Sequence, residues 1–95
     1  MKATYIVHGF VQGVGYRAYV KGIAEKLSLG GIVMNQDDGS VLIIVAGEET
    51  IIKKFEEGIN ISIRYGTQVH NIEKQYDSDE DNETDIDFRT FQIIK

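Results

Sequence analysis

Three glycines and one arginine crowd the stretch "GFVQGVGYR", residues 9–17. Gly9, Gly13 and Gly15 lie between an apolar run and a helix-like pattern, and Arg17 stands where that pattern begins. A helix N-terminus carries unpaired N–H groups and a partial positive charge. Successive N–H groups in a glycine-containing turn make a concave nest for an oxyanion, and glycine removes the Cβ that would hold the anion away. A guanidinium at the helix start adds a fork of donors over the same anion. The alternative reading is a tight strand-to-helix connection with Arg17 as a solvated helix residue. Known nucleotide patterns do not fit: the phosphate loop ending in Gly-Lys-Ser/Thr is absent, and Gly13–Val14–Gly15 lacks the third glycine of the dinucleotide fingerprint.

Other residue types offer less chemistry. There is no cysteine, so no disulfide, thiolate metal site or thiol nucleophile. Ser28 and Ser40 have no histidine near them in sequence and are poor nucleophile candidates. Asp37 and Asp38 read as turn formers, Gln12 as a brace for the loop, and Tyr16 as a packing residue. His8 alternates with Val7 and is expected on the exposed sheet face. Asp77, Asp79 and Asp81 begin like a calcium loop. Asn82 takes the place of its glycine and Phe88 that of its closing glutamate, so a solvated or disordered loop is expected.

The elements that must position the loop follow from periodicity. "ATYIVHGF" is β-branched and aromatic and reads as a first strand. From Arg17, apolar Val20, Ile23, Ala24 and Leu27 make one stripe of a helix of about three turns. "SLGG" ends it, with Gly30 or Gly31 expected as the left-handed stop. "GIVMN" and "SVLIIVAG" form a hairpin, the second strand central, with positive backbone angles expected for Asp38–Gly39 at its tip. "EETIIKKFEEGI" is a second helix with Ile52, Phe55 and Ile59 inward. "TQVHNIEKQY" is a strand whose alternation slips between Val69 and Ile72, and "FRTFQIIK" reads as a last strand at a sheet edge. The order implies an α+β, ferredoxin-like βαββαβ sandwich with an additional C-terminal edge strand. Two helices then pack on one face of a mainly antiparallel sheet.

Composition narrows the classes. Ninety-five residues, 42% hydrophobic, suit a single domain over 1–95 with a small core. Residues 77–87 hold seven of the fifteen acids and no base, leaving eight acids against ten bases elsewhere. The acidity thus belongs to one segment and leaves the body free to take an anion. Lys and Arg are scattered, against a nucleic-acid partner. No signal peptide is visible and no apolar run nears the roughly 20 residues of a membrane span, so a cytoplasmic, membrane-free protein is expected.

"GFVQGVGYR" followed by "GGIVMNQDDGSV" resembles the acylphosphatase family. That family carries a G-x-V-Q-G-V-G-[FY]-R loop and then a G-x-V-x-N-x-x-D-G-x-V hairpin. Both blocks stand here in order, with Asn35 eighteen residues after Arg17. The likeness is close over residues 3–47 and looser to the final "FQI". Ile32 stands where the family usually has tryptophan, "RYGTQVHNI" lacks the usual proline and alanine, and "DSDEDNETD" is unusually acidic.

The resemblance implies hydrolysis of carboxyl–phosphate bonds without a metal or cofactor. It makes Arg17 and Asn35 the catalytic pair, Asn35 positioning the water, and Gly13, Val14, Gly15, Tyr16 and Arg17 the phosphate-binding loop. The expected partner is a small-molecule acyl phosphate, with phosphate or sulfate as a site ligand, on a monomer. The alternative is a module that binds or hands on an acyl- or carbamoyl-phosphate within a larger assembly. The chain ending at Lys95 favours the free enzyme. A third class, an RNA-binding sheet, would use Tyr5 and Phe10 but lacks the aromatic-rich pattern.

Overall fold

Alternation builds the sheet and places its core. In the computed structural model, which describes residues 1–60, 67–77 and 86–95, the first strand β1 (Lys2–Phe10) buries every second side chain, Ala3, Tyr5 and Val7. Helix α1 (Tyr16–Lys26) follows, then β2 (Gly30–Asn35), β3 (Val41–Ala46), α2 (Glu49–Ile59), β4 (Gln68–Asp77) and β5 (Phe91–Ile94). The strand order is β4-β1-β3-β2-β5, antiparallel except for the β2–β5 pair. β3 is central, and β1 and β2 flank it as the two arms of a split β-α-β unit. This is the ferredoxin-like arrangement expected, with β5 as the extra edge strand.

The helices close one face. Val20 and Ala24 of α1 and Ile52, Phe55 and Ile59 of α2 join Tyr5, Val7, Val33, Val41, Ile43, Val45 and Phe91 in one core. Phe55 sits between the rings of Tyr5 and Phe91, at centroid distances of 6.0 and 6.4 Å. Because Tyr5 turns inward, the open sheet face lacks one of the two aromatics an RNA-binding reading needed. No helix among the described residues is long and apolar enough to cross a membrane.

Two local expectations are corrected. The left-handed residue that ends α1 is Ser28, with φ 56°, and neither Gly30 nor Gly31. Leu29 N–H donates to the Ala24 carbonyl at 2.9 Å and Ser28 N–H to Glu25 at 3.1 Å, the paired bonds of a Schellman stop. Gly31 instead lies inside β2, where a Cβ would come within 1.8 Å of the Ile44 carbonyl oxygen. Its glycine is needed for close strand approach.

At the hairpin tip only Gly39 has positive φ, 94°. Gly39 N–H donates to Gln36 O at 3.1 Å and Gln36 N–H to Ser40 O at 2.9 Å, so the tip is a wider turn closed by one left-handed glycine. His8 keeps 38% of its side chain exposed. It lies on the open face as expected, 2.6 Å from Glu73 Oε2.

The slip in β4 has a structural cause. Gly9 pairs with Val69 and His8 with Asn71, which leaves His70 as the extra residue of a bulge. Val69 and Ile72 therefore both pack on the core despite their odd spacing. The expected loop over 77–87 falls mostly outside the described residues. Asp77 itself ends β4.

One half-buried carboxylate ties α2 to the sheet. Glu56 Oε1 accepts from Tyr5 Oη at 2.9 Å and from Tyr76 Oη, and Oε2 lies 3.6 Å from Lys74 Nζ. Burial alone would raise the Glu56 carboxyl, but the hydroxyls of Tyr76 and Tyr5 and the Lys74 ammonium hold it below its ordinary 4.5. A carboxyl lowered in the folded state stabilises above its unfolded value, and that stability is lost as pH falls through the folded one. Thermal unfolding midpoints should therefore drop as pH falls below about 4.5. Glu56→Gln should flatten that part of the drop; an unchanged acid profile in the variant contradicts this role.

Candidate active site

The turn between β1 and α1 is built from alternating backbone hands. Gly13 has φ 75° and Gly15 φ 80°, while Val14 between them is not left-handed. Such alternation points successive N–H groups toward one side. Gly15 is the N-cap of α1, and no side chain caps the helix. The first intrahelical bond runs from Tyr19 N–H to Gly15 O at 3.1 Å. The N–H groups of Tyr16, Arg17 and Ala18 thus precede the helical ladder.

No acidic residue stands in the first turn of α1, whereas α2 begins with Glu48 as N-cap and Glu49 in its first turn. The positive end of α2 is offset by its own carboxylates, and that of α1 is left open. Arg17 adds a guanidinium there and makes no ion pair with any described residue.

These groups surround a hollow of about 260 Å³ lined by Val11, Gly13, Gly15, Tyr16, Arg17, Ala18, Ile93 and Lys95. No carboxylate side chain lines it. Other hollows suit an anion less. One of about 290 Å³ contains Glu56, and one of about 580 Å³ mixes Lys21 and Glu25 with Arg89, already paired to Asp87 at 3.0 Å.

Of the loop residues singled out from sequence, Gly13, Gly15, Tyr16 and Arg17 meet at the hollow. The Val14 side chain does not line it and packs on the core instead. The Tyr16 ring is buried and its hydroxyl donates to Ile59 O at 2.7 Å, so it serves as the packing residue expected. Burial pushes the Tyr16 hydroxyl far above the ordinary phenol range, which keeps it neutral.

Asn35 is not part of the lining. It ends β2 opposite Val41, on the face that carries Val33 and the helices. Its Oδ1 is shut off from solvent and has no hydrogen-bond partner among the described residues. An unpaired buried acceptor costs about 1–3 kcal/mol, a cost that structural neatness does not explain.

Gln12 joins loop and hairpin. Its Nε2 donates to Gln36 O and Ser40 O, both at 2.8 Å. The far side of the tip is held by Asp38, whose Oδ1 accepts from Ser40 N–H at 2.9 Å. Gln12 and Asp38 thus take the bracing and turn-forming parts read from sequence. Together they fix Gln36, and with it Asn35, relative to the loop.

Lys95 and Ile93 were missed from sequence. The signal was available: with Phe91 inward, alternation puts Ile93 and Lys95 on the same face. The parallel register that brings them beside α1 could not be read from the chain.

Gly15→Ala isolates the backbone requirement. A Cβ there meets nothing within 4 Å, so any cost comes from φ alone. The expected loss is about 1–2 kcal/mol of stability, with weaker binding of inorganic phosphate. Denaturant unfolding and phosphate titration check both; unchanged stability and affinity contradict the strained-loop account.

The acylphosphatase family model matches residues 3–93. An acylphosphatase of Thermotoga petrophila is 48% identical over 56 residues, covering 58% of this chain and 62% of the relative. The crystal structure of acylphosphatase from Bacillus subtilis superposes with TM-score 0.84 at 33% identity, over 99% of this chain and 98% of that one. HypF from T. kodakarensis matches all of this chain with 12% of its own, at 32% identity and TM-score 0.79.

Proposed function

The chain belongs to the acylphosphatase family, and from that membership we propose that it hydrolyses the carboxyl–phosphate bond of small acyl phosphates to a carboxylate and inorganic phosphate. The observation that carries the reading is the open, acid-free N-terminus of α1 joined to a left-handed glycine turn and Arg17.

An acyl phosphate is an activated mixed anhydride. Its leaving carboxylate has a conjugate acid near pKa 4–5, by analogy with about 4.3 for Glu. It departs without a proton, so no general acid is needed. The tasks left are holding the phosphoryl group, offsetting its charge and placing a water in line.

The N–H groups of the Gly13–Arg17 turn take the phosphoryl oxygens. The Arg17 guanidinium binds the same group and follows its charge through the transition state. The carboxamide of Asn35 holds the attacking water without adding negative charge; an aspartate there would repel the phosphoryl dianion. The water oxygen forms the new P–O bond as the P–O bond to the acyl group breaks. A phosphoryl oxygen accepts the water's proton, so no enzyme base is required. The reaction proceeds without a metal, on a monomeric single domain in the cytoplasm.

The test is turnover of benzoyl phosphate by the purified chain in the presence of a chelator. Hydrolysis that chelation leaves intact is expected. A folded sample that binds phosphate but does not turn over benzoyl phosphate would replace the enzyme by a binding module.

A further inference from the structure

We infer that Gln12 is a positioning residue for the attacking water, acting through Asn35, a role that rests on the phosphoryl-transfer reading above. The two halves of the site stand on separate supports. The phosphate turn follows β1, whereas Asn35 ends β2, and β3 lies between those strands in the sheet. Gln12 spans the gap. It directly precedes Gly13, the first left-handed residue of the turn. Its Nε2 donates at 2.8 Å to the carbonyl of Gln36, the residue after Asn35, and at 2.8 Å to Ser40 O. Only the amide nitrogen can face two carbonyl oxygens, and both of its protons are then used.

The hairpin closes without these bonds. Gly39 N–H already donates to Gln36 O at 3.1 Å, and Gln36 N–H to Ser40 O at 2.9 Å. Asp38 Oδ1 accepts from Ser40 N–H at 2.9 Å. The donors of Gln12 thus arrive on carbonyls that the turn has satisfied. What they add is the place of the hairpin relative to the phosphate turn. Asn35 needs that placement. The described residues give its buried Oδ1 no hydrogen-bond partner, so the backbone that carries it sets its aim. In-line attack tolerates little error, since a displacement of about 1 Å costs about 10²-fold in rate. Phosphate itself is held by the turn N–H groups and Arg17, none of which belongs to the hairpin. Loss of the Gln12 bonds should therefore fall on kcat and spare phosphate affinity.

The experiment measures kcat and KM for benzoyl phosphate and competitive inhibition by inorganic phosphate. It compares the unaltered chain with Gln12→Met, Asn35→Ala, Arg17→Ala and the double variant Gln12→Met/Asn35→Ala, with thermal unfolding to show that each is folded. Methionine keeps the length of the side chain and removes its donors. Gln12→Asn, whose carboxamide falls one methylene short, takes its place in both chains if the methionine variant does not fold.

Gln12→Met should lower kcat by about 10- to 100-fold and leave the phosphate inhibition constant within about 2-fold. In the Asn35→Ala background the same change should lower kcat by less than about 2-fold, because the group it positions is gone. A purely structural glutamine gives losses that multiply, and one that braces the phosphate turn raises the phosphate inhibition constant in step with the rate loss. Either result, or an unchanged kcat in Gln12→Met, overturns the role of Gln12. If Asn35→Ala is slow and Arg17→Ala abolishes phosphate inhibition in the same series, the phosphoryl site itself stands. Normal turnover in Asn35→Ala, or phosphate inhibition that survives Arg17→Ala, overturns the phosphoryl reading and the role of Gln12 with it.

Discussion

Arg17→Ala should lower kcat/KM for benzoyl phosphate by about 10³-fold or more, the scale of removing an arginine that stabilises a transferring phosphoryl group. That is a loss of about 4 kcal/mol of transition-state stabilisation. The fold should survive, because Arg17 is the second residue of α1 and makes no ion pair with any described residue. The neighbours that carry the packing are Tyr16 and Val20. Arg17→Lys should recover only part of the rate, since an ammonium cannot reproduce a fork of two parallel donors. Steady-state kinetics with thermal unfolding on the same samples checks both halves. A folded Arg17→Ala variant with near-normal turnover would remove the guanidinium from the mechanism.

Asn35→Ala separates function from structure more sharply. Misplacing the attacking water costs about 10²-fold or more, and the loss should fall on kcat with phosphate inhibition nearly intact. Stability should move the other way. Asn35 Oδ1 is buried without a partner, so deleting it relieves a desolvation cost and should leave the protein equally stable or up to about 1 kcal/mol more stable. A residue kept for the hairpin turn would behave oppositely, losing stability with little change in rate. Asn35→Asp should be as slow as Asn35→Ala, because its charge opposes the phosphoryl dianion. An active Asn35→Ala variant would overturn the water-positioning role.

Much of this architecture could be read from side-chain alternation. Ala3, Tyr5 and Val7, then Val41, Ile43 and Val45, are period-two sets, and Ile52, Phe55 and Ile59 follow the helical period. Those patterns record burial directly, so they survive translation into three dimensions. The loop was legible because Gly13 and Gly15 do need positive φ. What failed were choices that local sequence leaves nearly degenerate. Ser28 takes the left-handed stop that a following Gly-Gly suggested, because the Schellman bonds to Ala24 and Glu25 come due there. Gly31 serves close strand approach, which depends on Ile44, a residue distant in sequence. Lys95 reaches the hollow only through a parallel β2–β5 pairing, and Asn35 showed its unpaired oxygen only once its neighbours were placed.

The central claim is that one phosphoryl group is held by the backbone of residues 13–17 under Arg17. Titrating the isotopically labelled chain with inorganic phosphate, followed by amide NMR, tests it most directly. The account predicts that the amides of Gly13, Gly15, Tyr16 and Arg17 shift together with a single dissociation constant, that Asn35 responds with them, and that Arg17→Ala abolishes the response. Phosphate shifts confined to another surface, or the same loop shifts persisting in folded Arg17→Ala, would contradict it.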